Sequence, residues 1–234
     1  MRKNSRNRSA VLHPTYYAEH NGETIMSREF KIERDPYDEK DYIYKRSSIT
    51  LNPGVTVLVG CNGAGKTTLL RTIRRQLDKE EIPFIEYDNL HDGGANSKSA
   101  ALFYGNISLA AGLMQSSEGE QISINIGTTA SKIGKFVREN RDKPELWILL
   151  DAIDSGLSID NVREIKEGLF ATILDDNPNS DVYIIVSANE YEMCIGMNCF
   201  DVVNGKYINI TSYNSFAKAV LRSREYKDKR YKGE

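Results

Sequence analysis

One eight-residue segment, residues 60–67, constrains the fold of this chain more than any other part of the sequence. It is Gly-Cys-Asn-Gly-Ala-Gly-Lys-Thr, a complete match to the phosphate-binding pattern G-x-x-x-x-G-K-[ST]. That pattern needs a buried strand before it and a helix after it. Residues 55–59 form a short apolar run typical of a buried strand. Residues 66–77 carry apolar side chains at helical spacing, namely Leu69, Leu70, Ile73 and Leu77.

The predicted order of strand, glycine-rich loop and helix indicates a site for the phosphates of ATP. Glycines let successive backbone N–H groups converge on phosphate oxygens, and the helix N-terminus adds partial positive charge. We expect Lys66 to act as a point charge between the β- and γ-phosphates, and the Thr67 hydroxyl to bind Mg²⁺. The predicted contacts to the nucleotide are Gly60, Asn62, Gly63, Ala64, Gly65, Lys66, Thr67 and Thr68.

A second candidate for the metal shell is Asp151, which ends the apolar run at residues 146–150. A carboxylate at the end of a neighbouring buried strand is well placed to hold the magnesium shell. The predicted cofactors are therefore ATP and Mg²⁺, with Thr67 and Asp151 as the metal residues. A helix cap or a solvent-facing strand end is the alternative role for Asp151.

The rest of the chain alternates predicted strands and helices, which favours an α/β domain with a mostly parallel core sheet flanked by helices. Further apolar runs predict strands at 83–87 and 182–186, and helical spacing predicts helices from Gln121 and over residues 159–173. Residues 91–99 are predicted as a loop. Strands predicted at 30–32 and 42–44 indicate an antiparallel edge, and Asn-Gly at 204–205 indicates a hairpin.

Composition excludes several classes of protein. The net charge is −2, so the chain as a whole has no bias toward nucleic acid or anionic membranes. Three cysteines without paired spacing indicate neither disulfides nor a zinc site and fit a reducing cytoplasm. No apolar run approaches the roughly 20 residues of a membrane span. We expect a flexible basic N-terminus at 1–25, an ATPase domain at 26–221 and a basic C-terminal tail at 222–234.

Three further segments resemble motifs of the ATP-binding-cassette ATPases. Residues 116–121 are similar to the family signature, residues 149–158 to its L-L-D-E-P-T-S-G-L-D segment, and residues 185–189 to the strand end that carries its switch histidine. The resemblance implies that Ser117, Gly119 and Glu120 complete the ATP site of a second subunit, giving a head-to-tail homodimer around ATP. Ser117 and Glu120 also fit an ordinary capping box, and both readings are compatible.

The departures from that family bear on catalysis. The family's catalytic glutamate is Ala152 here, and a methyl group cannot orient water, so the resemblance implies very slow hydrolysis. The alanine is either an engineered change that traps the ATP-bound dimer or a natural loss that makes a nucleotide switch. Asp154 is a candidate substitute carboxylate, although its spacing differs from the family's. Asn189 occupies the switch position, or Ala188 if the register slips by one.

The segment between the phosphate loop and the signature is short, which implies a reduced helical subdomain and the non-transporter, soluble branch of the family. The family's glutamine loop is not recognisable between residues 87 and 105. Candidates to stack the adenine are Tyr37, Tyr42 and Tyr44.

The resemblance implies an effector protein as partner and no membrane partner. The basic termini are either solvated tails or a surface that contacts nucleic acid. A non-hydrolysing ATP sensor or scaffold is the second hypothesis. A small-molecule kinase is the third, and it would need a basic lid near residues 90–105, where only Lys98 is basic.

Overall fold

The computed structural model describes residues 27–32, 43–88 and 118–232, with side chains in the last segment described for residues 127–231. Tyr37, Tyr42, Ser117 and the loop predicted at 91–99 lie outside these ranges. So does most of the segment in which a reduced helical subdomain is expected.

Six strands form the main sheet. They are β3 (Gly54–Val59), β4 (Phe84–Asp88), β5 (Glu145–Asp151), β6 (Asp181–Ser187), β7 (Asn198–Asp201) and β8 (Lys206–Ile208). The order across the sheet is β4-β5-β6-β3-β7-β8, and every neighbouring pair is parallel except β7 with β8. The predicted α/β class with a mostly parallel core is confirmed.

A separate two-stranded antiparallel sheet is formed by β1 (Arg28–Lys31) and β2 (Ser48–Leu51). The prediction of an antiparallel N-terminal edge is confirmed, but the prediction of a strand at 42–44 is wrong for its described part. Ile43 and Tyr44 lie outside the strands, and Phe30 pairs with Ile49 instead. Both residues are nevertheless buried, so their apolar pattern reflects packing rather than strand pairing.

Helices cover both faces of the main sheet. They are α1 (Lys66–Lys79), α2 (Glu118–Glu139), α3 (Ile159–Glu164), α4 (Ala171–Asp175), α5 (Tyr191–Cys194) and α6 (Tyr213–Lys232). The single helix predicted over 159–173 is interrupted, because a π-helical turn (Ile165–Phe170) joins α3 to α4. Residues 222–232, expected to form a solvated tail, are instead the second half of α6.

The buried side chains form two clusters, one on each face of the sheet. Val57 of β3 belongs to the cluster that includes Ile133 and Val137 of α2, whereas the neighbouring Leu58 belongs to the cluster that includes the buried face of α1. Strand β3 is thus apolar on both faces, as its continuous apolar run predicts. Both sides of the strand that leads into the phosphate loop are packed, so the loop starts from a rigid element.

Aromatic side chains attach the small sheet to the main sheet. The only tryptophan, Trp147, is fully buried and stacks on Tyr183 with ring centroids 3.9 Å apart. Phe30 of β1 contacts the same indole edge-on at 5.1 Å. These contacts hold the segment before the phosphate loop against the sheet through large buried apolar surfaces.

The hairpin predicted around Asn204-Gly205 is confirmed, with a longer loop than a two-residue turn. Strands β7 and β8 pair antiparallel from Asp201 and Lys206 outward, leaving four residues between them. Gly205 has a φ of 60°, the left-handed conformation that glycine adopts without a steric cost. Its N–H donates to the Asp201 carbonyl at 2.8 Å and closes the loop.

Candidate functional site

The phosphate loop curls through two left-handed glycines, Gly63 (φ 76°) and Gly65 (φ 91°), and helix α1 begins directly after Gly65. The Ala64 N–H donates to the Cys61 carbonyl at 3.0 Å, which closes the bend. Only glycine adopts these angles without strain, so the backbone requires this residue type at both positions. The predicted order of strand, loop and helix is confirmed.

Tyr44 packs against the phosphate loop at Gly65. Its hydroxyl donates to the Gly65 carbonyl at 2.6 Å, and its side chain is buried. A Cβ atom added to Gly65 would lie only 2.7 Å from the Tyr44 hydroxyl oxygen. Tyr44 was a candidate to stack the adenine, but in this structure its ring packs under the loop.

Lys66 reaches back across the loop, and its Nζ donates to the Gly60 carbonyl at 2.7 Å. The side chain is buried, and this burial lowers the pKa of Lys66 below its ordinary value of 10.5. The carboxylates of Asp154 and Asp151 oppose that shift by favouring the charged ammonium. The register of β3, β6 and β5 places the phosphate loop and Asp151 at the same edge of the sheet.

The strand that ends in Asp151 is not adjacent to the phosphate-loop strand, contrary to the expectation of a neighbouring strand. Strand β6 lies between β5 and β3, and its last residue, Ser187, is in register with Asp151 on one side and with Leu58 on the other. The Ser187 hydroxyl donates to Asp151 Oδ1, and its oxygen also accepts the Ala152 N–H at 2.9 Å.

Sequence reasoning missed Ser187 as a residue of the site. The available signal was a polar residue that ends an apolar strand, the same signal that pointed to Asp151. Ser187 is buried and fixes the orientation of the Asp151 carboxylate, so it belongs to the site as the partner of that carboxylate.

Ala152, the residue after Asp151, has a left-handed backbone with a φ of 53°. Non-glycine residues rarely adopt this conformation, which costs roughly 1–2 kcal/mol. The Ala152 N–H donates to both the Ser187 carbonyl and the Ser187 hydroxyl oxygen. The sharp turn after β5 is therefore held against the end of β6.

Asp154, in the turn after β5, lies close to Asn189, in the turn after β6. One carboxylate oxygen of Asp154 accepts the N–H groups of Asn189 and Glu190, both at 2.8 Å. The carboxyl group is completely buried, and burial raises the pKa of Asp154 above 3.8. Asp154 thus anchors the turn after β6, and the exposed Asn189 amide donates to the Ser155 hydroxyl at 3.1 Å.

Comparison with known families places this site in a class. A family profile described as an AAA domain matches residues 49–187, more than half of the 234-residue chain. The chain belongs to the AAA-domain family. The match spans the phosphate loop, Asp151 and Ser187, so the AAA domain is a P-loop nucleotide-binding domain.

Two other comparisons add little to this assignment. The search of curated proteins gave no match. One similar solved structure is described as the ADP conformation of an ATP-binding cassette of an ABC transporter. It shares 14% identity and has a TM-score of 0.45, covering 91% of this chain and 100% of its own. In the described part of the AAA domain, no helix combines the length and apolar character needed to span a bilayer.

The signature segment is only partly described. The described part of helix α2 starts at Glu118, three residues before the predicted start at Gln121, so Gly119 and Glu120 lie within the helix. Ser117 lies outside the described residues. The apolar positions Ile133 and Val137 of the same helix are buried, as its predicted periodicity requires.

The donor set of the AAA domain fits a hard divalent cation bound beside a triphosphate. Thr67 offers a hydroxyl oxygen in the first turn of α1, and Asp151 offers a carboxylate that Ser187 already orients. Oxygen donors of this kind are those that Mg²⁺ prefers. Among the residues that the structure describes, no cluster of three or more His, Cys, Asp or Glu side chains forms an all-protein metal site. A metal here would be shared between the protein and the phosphates.

Helix α6 also reaches the phosphate loop, which the sequence did not predict. The Cys61 N–H donates to Ser223 Oγ at 2.8 Å, and Lys227 Nζ donates to the Asn62 carbonyl at 2.9 Å. Both contacts join residues more than 160 positions apart in the chain.

Proposed function

We propose that this AAA domain is an ATPase of the ATP-binding-cassette type that binds Mg-ATP at the phosphate loop and uses the bound nucleotide to control a partner protein. The observation that carries the proposal is the juxtaposition of a left-handed glycine loop, the buried Lys66 and the Asp151–Ser187 pair at one edge of the sheet. Backbone N–H groups, one cation and one carboxylate are the elements that a phosphate-bound magnesium needs.

Thr67 and Asp151 are the residues proposed to hold the magnesium, and Lys66 the residue that contacts the phosphates. Bound magnesium would neutralise charge on the β- and γ-phosphate oxygens. Lys66 would exchange its contact with the Gly60 carbonyl for phosphate oxygens, because a charged acceptor binds an ammonium more strongly than a neutral carbonyl does. Ser187 would keep Asp151 in position during that exchange.

Hydrolysis is proposed to be very slow, because the residue after Asp151 is Ala152. Positioned carboxylates that activate water typically contribute about 10²–10⁴-fold to the rate. Asp154 is not the expected replacement in this proposal, because the residue is completely buried and one of its oxygens already accepts two backbone N–H groups. The AAA domain would therefore stay in the ATP-bound state for long periods.

The bound state is proposed to be a head-to-tail homodimer. Support comes from the signature-like segment at residues 117–120, which would complete the ATP site of the second copy and of which Gly119 and Glu120 lie in helix α2. The effector is proposed to be a separate protein, and contact with nucleic acid through the basic N-terminus is part of the proposal. A cytoplasmic location fits the three free cysteines.

Calorimetric titration of Mg-ATP tests the binding step. Lys66→Ala should weaken ATP binding by at least tenfold, whereas Lys79→Ala, at the exposed far end of the same helix, should bind like the wild type. Equal affinity of the wild type and Lys66→Ala would contradict the proposal. Removing magnesium with a chelator should also weaken the binding of ATP to the wild type.

Two further measurements separate the finer parts of the proposal. Light scattering after gel filtration should show a dimer only with Mg-ATP, and a monomer in both conditions would refute ATP-driven dimerisation. Ala152→Glu should raise the rate of hydrolysis by about 10²–10⁴-fold if the cassette mechanism applies. An unchanged rate would favour the non-hydrolysing sensor, whose support is the residue type at position 152.

A further inference from the structure

Helix α6 meets the phosphate loop through two side chains one helical turn apart, Ser223 and Lys227, which lie on the same helix face. Ser223 is buried and Lys227 is partly exposed. The two residues contact different peptide groups of the loop, and each contact sets the direction in which one peptide group points.

Ser223 holds the peptide group between Gly60 and Cys61. In a planar trans peptide the C=O and N–H bonds point in opposite directions. Here the C=O accepts from Lys66 Nζ at 2.7 Å on one side, and the N–H donates to Ser223 Oγ at 2.8 Å on the other. The Ser223 hydroxyl itself donates to the Val220 carbonyl at 2.6 Å, so its lone pair faces the Cys61 N–H.

Lys227 holds the peptide group between Asn62 and Gly63. Its Nζ donates to the Asn62 carbonyl at 2.9 Å, which turns that carbonyl toward α6. The Gly63 N–H of the same planar peptide must then point away from α6. The Gly63 N–H therefore does not pair with α6 and remains available to donate to a phosphate oxygen.

The helix has its own attachment to the domain, independent of these two contacts. Ala219 is buried in the main core, and the Lys45 ammonium lies 4.4 Å from the centre of the Tyr226 ring. Lys45 precedes the phosphate loop in the chain, and its N–H donates to the Val203 carbonyl after β7. The helix can therefore hold the loop without depending on bound nucleotide.

We propose that α6 is a positioning element of the nucleotide site, in which Ser223 anchors the 60–61 peptide group at the start of the loop and Lys227 turns the 62–63 peptide so that the Gly63 N–H is available to a phosphate oxygen. The proposal rests on the proposed binding of Mg-ATP and adds two residues outside the AAA-domain match. Because coupling between sites is reciprocal, bound ATP must also stabilise α6 against local opening. A partner that moves α6 would change the affinity for ATP.

Binding measurements on variants of α6 test the proposal. Lys227→Met and Ser223→Ala should each weaken Mg-ATP binding about three- to tenfold, the range for one lost hydrogen bond. Lys227→Arg, which keeps a cationic donor, should restore most of the affinity. The matched controls are Lys218→Met, exposed on the same helix, and Ser131→Ala, an exposed helix serine that bonds its own turn.

Two readouts distinguish positioning from a loss of stability. Lys227→Met should keep the urea midpoint of the nucleotide-free protein, because its side chain is partly exposed, while its ATP affinity falls. Hydrogen exchange of amides 223–231 should slow when ATP binds to the wild type, and this protection should be smaller in Lys227→Met. If Ser223→Ala does not fold, the ATP affinities of Lys227→Met and Lys227→Arg decide the test on their own.

The results also separate this proposal from the proposed function. If the wild type binds Mg-ATP and Lys66→Ala does not, yet Lys227→Met binds like the wild type, only the role of α6 is overturned. A loss of affinity in Lys218→Met equal to that in Lys227→Met would overturn it as well. If the wild type does not bind Mg-ATP, the proposed function and the role of α6 both fall.

Discussion

Two glycines with nearly the same positive φ allow the steric demand of the phosphate loop to be measured. Gly54 has a φ of 97° and Gly65 a φ of 91°. A Cβ added to Gly54 would have no atom within 4 Å, whereas one added to Gly65 would lie 2.7 Å from the Tyr44 hydroxyl oxygen and 2.9 Å from its Cζ. An added Cβ therefore meets no neighbouring atom at Gly54 and the Tyr44 side chain at Gly65.

The expected magnitudes follow from that difference. In both variants, alanine at a positive φ costs roughly 1–2 kcal/mol, offset by about 0.4–1 kcal/mol from the stiffer unfolded chain. Gly54→Ala should therefore lose about 1 kcal/mol of unfolding free energy. Gly65→Ala adds overpacking against a buried side chain, about 1–3 kcal/mol, and strains the Tyr44 hydrogen bond. We expect it to lose about 2–3 kcal/mol more than Gly54→Ala.

Urea unfolding of the nucleotide-free protein, followed by the fluorescence of Trp147, measures both variants on one scale, because this buried residue is the only tryptophan. Tyr44→Phe removes the closest clashing atom, so the costs of Gly65→Ala and Tyr44→Phe should be less than additive in the double variant. The steric argument for the loop is wrong if the unfolding free energies of Gly54→Ala and Gly65→Ala differ by less than about 0.5 kcal/mol, because overpacking alone predicts a difference of about 1–3 kcal/mol.

Three other perturbations test separate parts of the site and core. Asp154→Asn should gain stability relative to the wild type as pH rises from about 4 toward 7 in urea titrations. The Asp154 carboxyl ionises near pH 3.8 in the unfolded chain, whereas burial keeps its pKa higher in the folded protein, so the wild type loses stability as pH rises across that window. A relative stability of Asp154→Asn that falls as pH rises would refute the burial argument. Ser187→Ala should lower the magnesium-dependent part of ATP affinity by about three- to tenfold in calorimetry, because Asp151 loses its hydroxyl partner; an unchanged magnesium dependence would count against that role. Trp147→Ala should lose about 3–5 kcal/mol of unfolding free energy by circular dichroism, because it empties the buried site stacked on Tyr183; a loss below 1 kcal/mol would contradict the packing.

The local parts of the site were predictable because short-range patterns carry them. The glycine spacing, the apolar run before it and the helical spacing after it all lie within residues 55–77, and the structure shows each element where the pattern predicts it. Asp151 was found in the same way, from the apolar run that it ends. A strand buried on both faces leaves its signature in consecutive residues, so no long-range information is needed.

The sequence by itself determined the phosphate loop, its flanking elements and the class of the fold, because each depends on residues close together in the chain. Tertiary structure alone decided that β6 separates the loop strand from the Asp151 strand, that Ser187 orients Asp151, and that residues 222–232 are a helix against the loop rather than a tail. Ser223 and Lys227 are ordinary polar residues in their own segment. Their role arises only where folding brings them to peptide groups more than 160 residues away, since hydrogen bonds depend on position in space.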